Sequence, residues 1–380
     1  MTAPLIIIGS GFAAYQLVKT VRRQNSEMAI QVFSAGCGGE YNKPDLSHVF
    51  TRQQRAADLI SMTGEAFAQK YDIELYAHTP VQEINGEAHY IIANGKRYPY
   101  CKLVLATGAK TFIPQIKGDA AADLITLNSL QEYSDAELRI SNSTHILLMG
   151  GGLIGVELAM DLARSGKQVR IVEPGAHLLA NLMPDFIATA LERQLRSDAI
   201  EIECLSYVTT IEQGADGLSV TTSNGVQYQA DCVISAAGLV PNIALAKQAG
   251  IEVNRGIVVD KQLRTSREDI YALGDCAEIN GKVMAFLQPI VLSANTLASQ
   301  LLSNSGELTI PAMMVKVKTP GYPIQLGGQY DLTSNWQVSF SEQGVIAKAY
   351  DQSQQLTGFV LTQDKVNLAF PLLREVQCAK

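Results

Sequence analysis

The chain has no closely spaced cysteines. Its six, Cys37, Cys101, Cys204, Cys232, Cys276 and Cys378, form no CxxC or CxxxxC pair. That excludes a local redox dithiol, and the cysteines read as mostly reduced thiols of a cytoplasmic protein. Long apolar runs are missing too. No stretch of about 18–20 uninterrupted apolar residues occurs, so no membrane span is expected. The first residues, Met1 to Gly9, carry neither a basic leader nor a cleavage-like site and read as a buried strand. Positive charge is in deficit, with 30 Lys and Arg against 37 Asp and Glu and a formal net charge of −7. That balance disfavours nucleic acid or an anionic membrane as partner, while leaving room for a local basic patch. The chain is 47% hydrophobic and 18% charged, as in a globular protein with large cores. At roughly 100–200 residues per domain, 380 residues predict two or three domains.

What is present is a repeated pattern. Leu5-Ile6-Ile7-Ile8 is apolar on both faces, as a central parallel strand requires. Gly9-Ser10-Gly11-Phe12-Ala13-Ala14 follows, then a helical pattern to about Arg23 and a second strand at Gln31–Phe33. About 140 residues later the pattern returns: the strand His145–Met149, the turn Gly150–Gly155, a helix over Val156–Ser165 and a strand at Gln168–Val172. So long a period excludes a solenoid and predicts two separate dinucleotide folds. Each is followed by a strand ending in an Ala/Gly turn, Ala106-Thr107-Gly108 and Ala236-Ala237-Gly238. From about Pro311 the character changes. Strands are expected at Ala312–Lys318, Trp336–Phe340, Val345–Tyr350 and Thr357–Leu361, and a helix over Lys365–Glu375.

The chemistry lies in the turns. In Gly9-x-Gly11-x-x-Ala14 the first glycine permits the tight turn, and the second lets backbone approach a pyrophosphate held at the helix N-terminus. Gly150-x-Gly152-x-x-Gly155 has the same context. One such match is weak; two, each with its own Ala/Gly turn, leave little room for incidental glycines. Glu173 ends the strand after the second turn, where a carboxylate binds both ribose hydroxyls of NAD and repels a 2′-phosphate, so NADH is expected over NADPH. In the first unit Ser34-Ala35 stand where that acid belongs, leaving the adenosine ribose to Glu40 or to backbone groups. Thr265 and the run Ile270–Asp275, with Gly274 and Asp275 at its end, suggest the other half of a flavin site; an Asp there either binds a ribityl chain or caps a helix.

Together these residues resemble the FAD-dependent pyridine nucleotide–disulfide reductase superfamily over nearly the whole chain. Tyr41-Asn42-Lys43-Pro44-Asp45-Leu46-Ser47 looks like a segment of rubredoxin and ferredoxin reductases, as do Asn254–Asp260 and Tyr271–Glu278. Ile8–Ala14, Tyr41–Val49, Leu127–Ser129, Glu157–Asp161 and Phe286–Ile290 are similar to the flavorubredoxin reductases of the bacterial nitric oxide reductase system. The resemblance implies FAD and NADH as cofactors, and a rubredoxin or flavorubredoxin as electron acceptor. It also implies cofactor contacts at Lys43, Pro44, Val81 and Gln288. A lysine that in relatives follows the Leu-Ser pair, near flavin N5 and paired to a glutamate, is here His48, and the glutamate is Glu157. A His48–Glu157 pair would raise the His48 pKa and favour imidazolium; packing of a neutral histidine is the alternative. Lys318 matches a lysine that in rubredoxin reductases lies against the flavin, where it would stabilise reduced, anionic flavin. Lys316, two residues earlier on one strand face, and Lys43 would join it in a basic docking surface; a lysine-protected edge strand is the alternative.

The expected fold is α/β: two Rossmann-like FAD/NAD(P)-binding domains, the second inserted in the first, plus a small C-terminal α+β domain. The FAD domain is expected over 1–112 and 243–310, the NAD domain over 113–242 and the last domain over 311–380. No metal site is expected, and a monomer is. A nicotinamide delivers two electrons and a rubredoxin iron takes one; a flavin accepts two and releases them singly. No acid–base side chain is strictly required, so only Glu157, His48 and Lys318 are candidate catalytic residues. The alternatives are a stand-alone rubredoxin reductase, an NADH oxidase and a flavin-bound redox sensor. A disulfide reductase is disfavoured, because Cys37 is the only cysteine near the relevant segment and has no partner.

Overall fold

The computed structural model describes residues 3–331 and 334–378. They divide into two compact units. The first comprises the chain up to Lys43 with Ala56–Lys110 and Leu239–Ile310; the second comprises Pro44–Arg55, Thr111–Gly238 and the chain from Pro311 on. The segment Pro44–Arg55, expected with the FAD domain, packs within the second unit, and so does the C-terminal region.

Each unit is built on a five-stranded parallel sheet, the edge strand coming last in the chain in the first unit and first in the second. In the first it runs Ile270–Ala272, Lys102–Leu105, Leu5–Ile8, Ile30–Phe33, Glu74–Tyr76. In the second it runs Ile125–Thr126, Cys232–Ser235, His145–Met149, Gln168–Glu173, Glu201–Cys204. The apolar runs occupy the central strands because a strand with parallel neighbours and both faces covered has no side chain facing water; in the second unit Leu147, Met149 and Val233 pack on Ile211, Leu218 and Val220 of an antiparallel layer. Leu5, Ile6 and Ile7 are fully buried, as is Leu148. Burying a side chain of that size contributes roughly 1.5–3 kcal/mol. Each unit also carries a three-stranded antiparallel meander: Val81–Asn85, Tyr90–Ala93 and Lys96–Pro99 in the first, Val208–Gly214, Gly217–Thr222 and Gln227–Ala230 in the second.

Helix α1, Phe12–Gln24, buries Leu17, Val18 and Val21 and packs on the helix Leu287–Ser303. Its counterpart α2, Leu153–Arg164, buries every residue from Gly155 to Leu162. Both have a glycine N-cap, Gly11 and Gly152, without a side-chain cap. Their first N–H groups are therefore left for a ligand or water.

The C-terminal region is an antiparallel sheet in the order Met314–Val317, Ile324–Gly328, Leu356–Thr362, Gly344–Tyr350, Asn335–Ser341. A helix, Ala369–Cys378, covers Leu356, Phe359 and Leu361 with Leu372 and Val376. Two expectations are corrected here. The helix does not begin at Lys365: a 3-10 turn spans Gln363–Leu368 and the α-helix starts at Ala369. Pro371 explains it, because proline fits a first helical turn but clashes with a helical carbonyl four residues earlier. The strand expected to reach Lys318 ends at Val317. Lys316 is exposed and pairs with Gln325 across the sheet, while Lys318 belongs to the turn that follows, where Pro320 lacks an N–H and Gly321 has φ +89°. The two lysines therefore do not share a strand face.

Candidate functional site

The two glycine turns are held by the same device. Gly9 has φ +115°, and a Cβ there would stand 2.2 Å from the Ala106 carbonyl oxygen. Gly150 has φ +105°, and its Cβ would stand 2.6 Å from the Ala236 carbonyl oxygen. The Ala/Gly turn after the later strand thus packs directly on the first glycine, which is why Ala106-Thr107-Gly108 and Ala236-Ala237-Gly238 recur with the motif. Gly108 and Gly238 both have positive φ. Thr107 and Asn242 lock the first of these turns reciprocally: Thr107 Oγ1 donates to the Asn242 carbonyl and Asn242 Nδ2 to the Thr107 carbonyl, each at 2.8 Å. A Cβ on Gly11 or Gly152 would meet nothing within 4 Å. Open space before an uncapped helix N-terminus is what a pyrophosphate needs, so both turns fit a dinucleotide. Ala14 is fully buried, and a Cβ on Gly155 would lie 2.0 Å from the Gly150 carbonyl oxygen.

Around the first turn a cavity of about 60 Å³ is lined by Ser10, Gly11, Phe12, Lys19, Glu40 and Lys43, among others. Ser34, in the place expected for an acid, hydrogen-bonds Ser10 hydroxyl to hydroxyl at 2.6 Å. Glu40 is held by Lys19. Gly274 (φ +83°) lets its loop approach α1, since a Cβ would stand 2.6 Å from Ala13 Cβ. Lys43 Nζ lies 3.7 Å from Asp275 Oδ2, an ion pair beside the turn. Thr265 donates to the Ile270 carbonyl and staples its own loop. Val81 opens the meander opposite Ala93, and Gln288 lies exposed in the first turn of Leu287–Ser303.

In the second unit Glu173 accepts the Gly151 N–H at 2.5 Å with one oxygen and the Gly175 N–H at 2.7 Å with the other. These bonds fix the carboxylate at the turn and leave lone pairs on both oxygens for ribose hydroxyls. Beside it, burial and the carboxylates of Glu192 and Glu173 push the Cys204 thiol up to about 11.

Glu157, His48 and Lys318 are brought together in this unit. Glu157 is 7% exposed. Its Oε2 accepts the Ser47 hydroxyl at 2.9 Å and its Oε1 accepts the Lys318 backbone N–H at 3.0 Å. Lys318 Nζ donates to the Pro44 carbonyl at 3.3 Å, which places Pro44 in this cluster. His48 Nε2 stands 3.8 Å from Glu157 Oε2, beyond hydrogen-bonding range. The expectation of a raised His48 pKa is corrected. Burial holds it below the ordinary value, Lys318 and Arg52 push the same way, and Glu157 and Asp161 oppose them without prevailing. Glu157 is committed to other donors, so His48 is a neutral imidazole at pH 7. Sequence reasoning missed Ser47 and Asp161. Asp161 Oδ2 accepts the Phe50 and Thr51 N–H groups at 2.7 and 3.3 Å, and Arg164 Nη2 donates to the Pro320 carbonyl at 2.8 Å. The available signal was the spacing Glu157, Asp161, Arg164, which puts one polar stripe on an otherwise apolar helix.

Comparison with known proteins fits this geometry. The family model described as pyridine nucleotide-disulphide oxidoreductase matches residues 3–298. The chain belongs to this family. The family implies binding of FAD and NAD(H). A second model, the rubredoxin binding C-terminal domain, matches residues 307–376. Among similar proteins, a nitric oxide reductase FlRd-NAD(+) reductase of Vibrio vulnificus is 54% identical over 99% of this chain and 98% of its own. One of the same name from Escherichia coli is 44% identical over 98% and 99%. Among solved structures, a ferredoxin reductase from Rhodopseudomonas palustris superposes with a TM-score of 0.88 at 24% identity, covering 97% of this chain and 93% of that one. A putidaredoxin reductase in covalent complex with putidaredoxin gives 0.89 at 21%, covering 99% and 93%. Such identities speak for the fold alone. Among the described residues, no helix is long and apolar enough to cross a membrane.

Proposed function

We propose that this chain is a cytoplasmic FAD-dependent oxidoreductase that carries electrons from NADH to the rubredoxin centre of a flavorubredoxin, in nitric oxide detoxification. The observation that carries this reading is the joining of two dinucleotide turns and a rubredoxin-binding domain in one chain. FAD held at the first of these turns would supply the conversion of a two-electron donor into a one-electron donor. The Gly9–Ala14 turn and the first N–H groups of α1 hold its pyrophosphate, with Lys43, Asp275 and the Ala106–Gly108 turn beside it. The Gly150–Gly155 turn holds NADH, and Glu173 accepts its ribose hydroxyls while repelling a 2′-phosphate. Glu157 positions the His48 turn and the Lys318 backbone through its two oxygens. Lys318 brings positive charge to the cluster it forms with Glu157 and Pro44, and His48, being neutral, adds none. Stopped-flow reoxidation of the NADH-reduced protein tests this. Fast reoxidation by a rubredoxin domain and slow reoxidation by dioxygen are expected; the reverse would make the protein an oxidase, and inertness toward both would make it a sensor.

A further inference from the structure

We propose that Arg52 and Arg164, with Lys318, form the rim of a docking surface for a carboxylate-rich face of the small iron protein that takes the electrons. This rests on the function proposed above and extends the docking surface beyond the region matched as rubredoxin-binding, residues 307–376, which contains Lys318 but neither arginine.

The three cations line one cavity of about 170 Å³ together with His48, Glu157 and Asp161. Their surroundings differ in a way that decides the charge of its mouth. Glu157 and Asp161 are each 7% exposed, and both are occupied by hydrogen bonds from Ser47 and from backbone N–H groups of Lys318, Phe50 and Thr51. His48 carries no charge at neutral pH, as argued above. The two arginines are exposed, and among the described residues neither has a carboxylate within ion-pair distance. Arg164 is held by its bond to the Pro320 carbonyl, which leaves most of its five N–H donors directed elsewhere. The cavity mouth is thus a cationic rim, anchored at Arg164 and Lys318, over buried, hydrogen-bonded carboxylates.

On a chain of net charge −7 such a rim is a directional device. An acidic partner is repelled by the molecule as a whole and attracted here, so charge selects the orientation of encounter and raises the association rate at low salt. Exposed arginines without a paired carboxylate also keep donors free for a bidentate carboxylate.

The test is the bimolecular rate of reoxidation of the NADH-reduced, FAD-loaded protein by a rubredoxin domain, measured against ionic strength. Arg52→Glu, Arg164→Glu and the double variant are compared with Arg193→Glu, an exposed arginine on the helix Asp185–Ser197 that changes net charge equally. Each rim reversal is expected to lower the low-salt rate roughly tenfold and to flatten its salt dependence. The Arg193 control should change it less than about twofold, by net charge alone. Among the described residues the Arg52 side chain makes no hydrogen bond or ion pair, so that variant reads docking, with its denaturation midpoint measured beside the rate. Rim variants no different from the control would overturn the proposal. Failure of the unaltered protein to reduce rubredoxin at all would instead overturn the function on which it rests, and the docking surface with it.

Discussion

At the scale of single residues, His48 shows how a pair inferred from spacing is decided by what else the partner holds. The Gly155-x-Glu157 spacing brings Glu157 near, but Ser47 and the Lys318 amide take its oxygens. Because burial first, then Lys318, depress the His48 pKa, the imidazole should titrate below its ordinary value in a histidine NMR titration. The linkage follows from the sign. A depressed folded pKa means the unfolded chain binds the proton more tightly, so stability present above the ordinary value is lost as pH falls through the folded one. His48→Gln should therefore lose less stability than the parent on acidification from pH 7, as denaturant titrations would show. Glycine changes should separate the two sites. Gly9→Ala faces backbone at 2.2 Å and a positive φ, strain costing about 1–3 kcal/mol before the clash is counted, and should abolish FAD retention on gel filtration. Gly150→Ala should keep FAD and raise the KM for NADH. Glu173→Ala should cut the preference for NADH over NADPH by about tenfold to a hundredfold in kcat/KM, corresponding to ribose hydrogen bonds worth about 1.5–3 kcal/mol.

At the scale of elements, α2 does more than present a pyrophosphate turn. Glu157, Asp161 and Arg164 lie on one face at successive turns, and each bonds a segment distant in sequence: Ser47 and Lys318, Phe50 and Thr51, Pro320. A helix periodicity names the stripe; it does not name the segments. Asp161→Ala leaves two backbone N–H groups without their carboxylate and should cost about 1.5–3 kcal/mol of stability, read from the denaturation midpoint. Asp161→Asn, which keeps one acceptor oxygen, should cost less. The C-terminal elements were legible where residues alternate, as in Gly344–Tyr350. They were misread where proline acts through a neighbour: Pro371 delays the last helix, and Pro320 with Gly321 ends the strand before Lys318.

At the scale of the whole molecule, the chain passes between its two units at Lys43, Arg55, Lys110, Gly238 and Ile310. Neither unit is a continuous stretch, and the first draws the strands of its sheet from both sides of the segment that builds the second. Unfolding should accordingly be a single transition. The lone tryptophan, Trp336, packs against Tyr330 and Phe186 in the second unit, whereas the FAD turn belongs to the first. Tryptophan emission and release of bound flavin should therefore change together along a urea titration, and two separated midpoints would contradict this. The sequence by itself determined the two dinucleotide folds and their turns, because those depend on local rules: apolar strands, glycines that no other residue replaces, and a carboxylate at a strand end. Only the tertiary structure decided the state of His48, the partners of Glu157 and Asp161, and the gathering of Arg52, Arg164 and Lys318 around one cavity. Those rest on contacts between residues more than a hundred positions apart, where burial and competing donors set the outcome and no sequence spacing records it.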